Sequence, residues 1–210
     1  YKKTPLDDSL SQRILERYLE VLDPTKRYFF ATDIEDFLEH ESRFDDYLRY
    51  TDLDVAFDIF VLYRKRVDER IEKALALLEY DFDFSREESF RFDREDAPWA
   101  PSSEELDDIW RKRVKNDFLA LELGGEERDD AKKQLKQRYE GISRRKAQLD
   151  SEDVFQMFIN AYTTSIDPHT AYFSPRTSEN FRSRMSLSLE GIGAVLQSED
   201  EHTVVREVVA

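Results

Sequence analysis

The chain has 210 residues, of which 40% are hydrophobic, 13% aromatic and 38% charged, and its formal net charge is −15. This composition can bury a core and argues against a disordered chain, and the negative charge argues against nucleic acid as a partner. The absence of cysteine excludes disulfides, thiol catalysis and cysteine–zinc sites.

Five glycines and six prolines favour long regular elements over a loop-rich fold. The charge is uneven: residues 111–146 hold 12 Lys/Arg against 7 Asp/Glu, a local net charge of +5. A solvated helical hairpin accounts for this stretch, and a basic face for an acidic partner is the alternative. Apolar runs such as Ile59–Tyr63 reach only about five residues, against the ~20 of a spanning helix. No signal peptide is visible, which leaves the compartment open, since a mature secreted chain also lacks one.

Asp7, Asp8 and Ser9 precede Leu10, Ile14, Leu15, Tyr18, Leu19 and Leu22, the spacing of an amphipathic helix with an acidic start. Pro24 requires it to end, because the residue before a proline is pushed out of the helical region. Tyr28-Phe29-Phe30 is an aromatic cluster in a loop. Thr32 and Glu35 have the spacing of a capping box, followed by a helix presenting Ile34, Phe37, Leu38, Phe44 and Leu48. From Asp52 the longest element carries Ala56, Phe60, Tyr63, Val67, Ile71, Ala74 and Leu78 as one stripe, with Arg64, Lys65, Arg66 and Arg70 on its other faces.

Tyr80, Phe82 and Phe84, then Phe90 and Phe92, alternate with charges. Period two predicts extended chain, as a hairpin or as an arm lying on the helices. Pro98-Trp99-Ala100-Pro101 is a rigid connector that brings Trp99 into the helical layer. Ser102 and Glu105 cap a helix with Leu106, Ile109, Trp110, Val114, Phe118 and Leu121, which Gly124-Gly125 breaks. A polar helix to Leu149 has a narrow seam of Leu135, Tyr139 and Ile142. Ser151 caps the next helix, with Val154, Phe155, Phe158, Ile159 and Tyr162 inward and Ile166 extending the stripe. Pro168 stops it. A short helix fits Ser178–Met185. Leu187, Leu189 and Gly191–Leu196 read as a strand, and Thr203–Val209 as another. Two strands cannot form a stable sheet alone, so the chain is expected to stop inside a second domain.

Few residues carry chemistry. Asp167 and His169 could ligate a metal in principle, but no third ligand is near, and Asp-Pro-His-Thr reads as a helix terminator. His40 and His202 sit among acids and are expected to be exposed. No carboxylate pair stands out, and no Gly-x-Ser-x-Gly or Ser-x-x-Lys pattern occurs. Gly191-Ile192-Gly193-Ala194 is not a phosphate loop. Its two glycines can curl the backbone so that consecutive N–H groups converge on an anion such as a peptide carboxylate. The strand after it can then pair with that peptide.

Three blocks carry a resemblance: Ser151–Phe155, Ile166–Arg176 with its Asp-Pro-His-Thr, and Met185–Leu196 with its Gly-Ile-Gly-Ala. Together they closely resemble the tail-specific proteases of Gram-negative bacteria, which are carboxy-terminal processing serine proteases. The segments Arg17–Asp23 and Asp93–Trp99 extend the resemblance over nearly the whole chain. It implies a mainly α chain: a multi-helix N-terminal domain over residues 1–185, then the first β-strands of an incomplete PDZ domain over residues 186–210. It also implies a periplasmic endopeptidase with a Ser–Lys dyad that acts on proteins with apolar C-termini. A tetratricopeptide-repeat lipoprotein adaptor is the implied partner, and neither nucleic acid nor a membrane span is expected. Gly191, Ile192, Gly193 and Ala194 match the family's carboxylate-binding loop. No catalytic residue, metal or cofactor is expected within these residues, so the chain alone should be inactive. The alternative is a non-enzymatic helical scaffold that docks an adaptor.

Overall fold

The computed structural model describes residues 4–186, 193–199 and 202–208. By internal contacts the chain divides into two units, Tyr1–Tyr172 and Phe173–Ala210.

In the first unit Asp7 opens α1 (Asp8–Leu22) by accepting the Leu10 N–H at 3.0 Å. The stripe of Leu10, Ile14, Leu15, Tyr18, Leu19 and Leu22 is buried as its spacing requires. Asp23 ends the helix ahead of Pro24.

The next helical stretch differs from the expected one. Two helices form, α2 (Ala31–Leu38) and α3 (Phe44–Tyr50), with turns between them. Thr32 is inside α2 rather than at its cap. Asp33 reaches back to accept the Phe30 N–H at 2.9 Å, and the Ala31 N–H donates to the Ala100 carbonyl at 2.9 Å. The break before α3 follows from Ser11, whose buried Oγ accepts the Phe44 N–H at 2.6 Å and fixes where the buried Phe44 enters the core. His40 is half-buried rather than exposed, its Nδ1 2.7 Å from the Tyr47 hydroxyl. The side chain of His202 lies outside the described residues.

α4 (Asp54–Leu78) buries the whole expected stripe. It buries Arg70 as well, which is only 2% exposed, because position 70 lies on the same face as Val67, Ile71 and Ala74. The alternating aromatics after α4 form an arm and pair in no strand. Phe82 and Phe84 lie on Phe118 of α5 (Ser103–Leu123), with ring centroids 5.5 and 6.3 Å away. Trp99 sits 6.0 Å from Phe29, as the rigid connector suggested.

Ser102 caps α5 by accepting the Glu105 N–H at 3.3 Å. Gly125, at φ +95, turns the chain into α6 (Arg128–Ala147), which buries Leu135 and Tyr139 of the expected seam together with Ala131 and leaves Ile142 half-buried. α7 (Ser151–Ile166) is capped by Asp150 in a reciprocal box with Asp153, one residue before the expected Ser151. Its stripe ends at the buried Ser165, and Ile166 is 38% exposed. The Ser165 Oγ donates to the Ala161 carbonyl at 2.7 Å, so its burial leaves the hydroxyl satisfied. α1 packs on α7 and α3, and α4 packs on α5, α6 and α7, around one continuous core.

In the second unit α8 (Pro175–Met185) begins three residues earlier than expected. Ser174 accepts the Thr177 N–H at 3.2 Å, and Pro175 occupies the first turn, where its missing N–H costs nothing. Strands β1 (Ala194–Glu199) and β2 (His202–Val208) form an antiparallel hairpin. Leu187 and Leu189 lie outside the described residues. The architecture is therefore mainly α, with a small two-stranded sheet at its end.

Candidate functional site

Of the four loop residues singled out in the sequence, Gly191 and Ile192 lie outside the described residues. Gly193 has φ +70, the left-handed region that glycine enters without steric cost. Ala194 then begins β1. The ladder pairs Ala194 with Val208, Val195 with Glu207 and Leu196 with Val205. The register shifts between Val195 and Leu196, leaving Arg206 as the extra residue of a bulge in β2. Among the described residues the sheet is only the β1–β2 pair, so β1 has one edge with unpaired N–H and C=O groups. Val195 and Leu196 along it are exposed. A glycine-headed strand with a free edge and exposed apolar side chains can take an extended peptide as a further strand.

The scaffold ends in a tied-down turn. Asp167 caps α7; its carboxylate accepts the His169 N–H at 3.0 Å and the Thr170 hydroxyl at 3.3 Å, and its carbonyl accepts the Thr170 N–H at 3.0 Å. Asp-Pro-His-Thr thus does the terminating work its residue types imply. Beyond it the chain folds back along α7. The Tyr172 N–H donates to Asn160 Oδ1 at 2.7 Å, and Asn160 Nδ2 donates to the Tyr172 carbonyl at 3.1 Å. The Tyr172 ring meets Phe155 edge-on at 5.5 Å.

The polar clusters of the helical unit are held by structural partners, although Arg70 Nε, Arg27 Nε, Arg94 Nε and Asp45 Oδ1 are buried without one. Asp23 is buried, and its carboxylate accepts the N–H groups of Arg27, Tyr28 and Phe29 at 2.9, 2.8 and 3.2 Å. Burial pushes its pKa up, against the opposing pull of those three bonds. Asp107 accepts from the buried Arg70 and from Lys73; burial alone would raise its pKa, but the two cations hold it below the usual carboxylate range. Asp33 receives two nitrogens of Arg66, at 2.7 and 3.0 Å, while the guanidinium stacks 4.6 Å over Phe30. In the basic stretch Arg111, Lys112, Arg113, Lys115, Arg128 and Lys132 each pair with a carboxylate. Much of its +5 is therefore spent within the molecule. Arg111 and Lys115 converge on Glu88 of the arm and hold its carboxyl at about 2. Among the described residues, no group of three His, Cys, Asp or Glu converges as a metal would need.

Sequence reasoning missed Asn160, Arg70 and Asp23 as organising residues. Asp23, between a helix and a proline, had a signal in the Asx-turn preference of that position. Asn160 and Arg70 had none, since their partners are distant in sequence.

A family model described as the tail-specific protease N-terminal domain matches residues 1–176, from the N-terminus into the first turn of α8. The chain belongs to the tail-specific protease family. Over all 210 residues it is 37% identical to the Tail-specific protease of Haemophilus influenzae, and it spans 30% of that relative's length. The first unit, with its turn at Asp167 and clamp at Asn160, is thus a tail-specific protease N-terminal domain. No helix of the described residues is long and apolar enough to cross a membrane.

Proposed function

We propose that this chain is the helical scaffold and the opening of the substrate-reading domain of a periplasmic serine endopeptidase that processes proteins from apolar C-termini. In this reading residues 1–185 are the scaffold, to which a tetratricopeptide-repeat lipoprotein adaptor docks. Residues 186–210 begin a PDZ domain. The backbone N–H groups of Gly191–Ala194 hold the substrate's terminal carboxylate, and β1 takes the tail as an added strand. Hydrolysis falls to a Ser–Lys dyad in the part of the protein outside this chain. The observation that carries the reading is Gly193, left-handed at the head of a strand whose second edge has no partner among the described residues, in a chain of the tail-specific protease family.

The test is competition in the full-length protein. A short peptide with an apolar C-terminal residue should inhibit cleavage of a tailed reporter protein, and its C-terminal amide should not. Equal inhibition by acid and amide would sink carboxylate capture at this loop.

A further inference from the structure

The helical unit carries a hollow that the proposed function does not use. It lies between α1, α2 and the connector at Trp99, with a volume of about 370 Å³, in the range of sites that hold a small ligand or a few side chains. Its floor is apolar: Leu19, Ile34 and Trp99 line it, and Leu38 opens onto it with 46% of its surface in water. Leu38 sits where the helical pattern would place a core residue, yet the core does not cover it. Its rim is acidic, with Glu16, Glu20, Glu41 and Glu95 around the opening. Glu20 is paired with Arg17 at 2.8 Å, but Glu16, Glu41 and Glu95 have no ion-pair partner among the described residues. The one cation in the lining, Lys26, lies over the Trp99 ring with its ammonium 5.7 Å from the centre, which leaves Leu38 as the uncovered apolar surface.

An apolar floor inside a ring of unpaired carboxylates selects for a side chain that is apolar at its tip and flanked by positive charge. We infer that this hollow is a docking site for a basic segment of a separate polypeptide, which seats one large apolar residue on Leu38 while flanking Lys or Arg residues meet Glu16, Glu41 and Glu95. The rim carboxylates repel acidic segments, so the site discriminates by sign as well as by shape. It does not depend on the protease reading, since it lies on a different unit from Gly193 and needs no carboxylate at a chain end.

The probe is a short, acetylated and amidated peptide of lysines with leucines at helical spacing, compared with its counterpart in which every lysine is glutamate. Binding to the 210-residue chain is followed by fluorescence anisotropy, with Leu38→Glu and Val21→Glu as the variants. Val21 is 48% exposed and outside the hollow, so both substitutions add the same charge at a solvated position. The lysine peptide should bind and the glutamate peptide should not. Leu38→Glu should weaken the lysine peptide by about tenfold, the loss of one apolar anchor, while Val21→Glu should leave it unchanged or tighter. If Leu38→Glu binds as well as Val21→Glu, the attraction is only that of a −15 chain for a polycation, and the inference fails. Comparable binding of the two peptides overturns the role of the rim. Self-association in sedimentation that Leu38→Glu abolishes assigns the hollow to a second copy instead.

Discussion

Asn160 holds the backbone of Tyr172 at both ends, accepting its N–H at 2.7 Å and donating to its carbonyl at 3.1 Å. A side-chain amide here replaces the partner that a strand or helix would give an isolated extended residue. One residue of α7 thereby sets where the chain leaves the scaffold. Asn160→Ala should lower stability by about 1–2 kcal/mol, because two backbone groups lose their partners. Asn160→Asp keeps the acceptor for the Tyr172 N–H but sets a carboxylate oxygen against the Tyr172 carbonyl, so it should also destabilise. Urea denaturation measures both, and amide exchange at Tyr172 should accelerate in step with the loss. A stability change with no change in exchange at Tyr172 would place the effect elsewhere in α7.

Arg70 and Asp107 differ in what their loss leaves behind. Arg70 is buried, and Asp107 is partly exposed and also holds Lys73. Asp107→Ala strands a buried guanidinium and should cost about 3 kcal/mol. Arg70→Met fills the same space with an apolar chain and leaves Asp107 to Lys73 and water, for a cost below about 1.5 kcal/mol. Denaturation of the two variants should therefore rank Asp107→Ala as the less stable, and the reverse order would show that the ion pair matters less than the methylenes of Arg70.

These two sites mark how far the sequence could be read. The helices follow from the 3.6-residue spacing of apolar positions: the stripes of α1 and α4 are buried residue for residue, and α5 buries Leu106, Trp110, Val114 and Phe118 but leaves Ile109 and Leu121 half-buried. The ends are less legible, because several side chains compete for each cap. Asp33 displaced Thr32, Asp150 displaced Ser151, and Ser174 with Pro175 started α8 early. Arg70 and Ser165 take core positions with help from partners far away in sequence, Asp107 for the first and the Arg13 carbonyl, beside the local Ala161 carbonyl, for the second. No periodicity rule can see such partners. At the candidate loop Gly193 has φ +70, while Gly191 and Ile192 lie outside the described residues.

Glu88 gives the arm a pH dependence. Its carboxyl is lowered from 4.5 to about 2 by hydrogen bonds from Arg111 and Lys115. A depressed folded pKa stabilises the folded arm above the unfolded value, and the contribution is lost as pH falls from about 4.5 towards 2. Amide exchange in the arm around Phe84 and Phe90 should rise across that window before the helices melt. Glu88→Gln should remove this step and leave an arm that is looser at neutral pH. If the wild-type arm and the core lose protection together, Glu88 is not what holds the arm.

Asp23 works in the opposite sense. Burial raises its pKa above 3.8, so the proton is held more tightly in the folded state, and this part of the stability declines as pH rises through the folded value. The carboxylate still matters at neutral pH, because without it the N–H groups of Arg27, Tyr28 and Phe29 lose their acceptor. Asp23→Ala should cost about 3 kcal/mol, and Asp23→Asn, which keeps one carbonyl oxygen and no charge, should cost less. The Trp110 indole N–H donates to the Arg27 carbonyl at 2.7 Å, so tryptophan fluorescence can report the loop directly. An unchanged emission in Asp23→Ala would mean the loop keeps its shape without the carboxylate.

Gly193 ties the loop conformation to the proposed capture of substrate tails. At φ +70 an added Cβ costs about 1 kcal/mol for alanine and more for a β-branched residue. Gly193→Ala should therefore disfavour the left-handed conformation at the head of β1, and Gly193→Val should do so further. In the full-length protein both should raise KM for a substrate with an apolar free C-terminus, valine more than alanine. The rate on a short peptide too small to reach the loop should not change, since the proposed function places hydrolysis away from this loop. A fall in kcat on that short peptide would mean the glycine supports folding of the enzyme and not recognition. An unchanged KM for the tailed substrate in Gly193→Val would remove this loop from substrate reading.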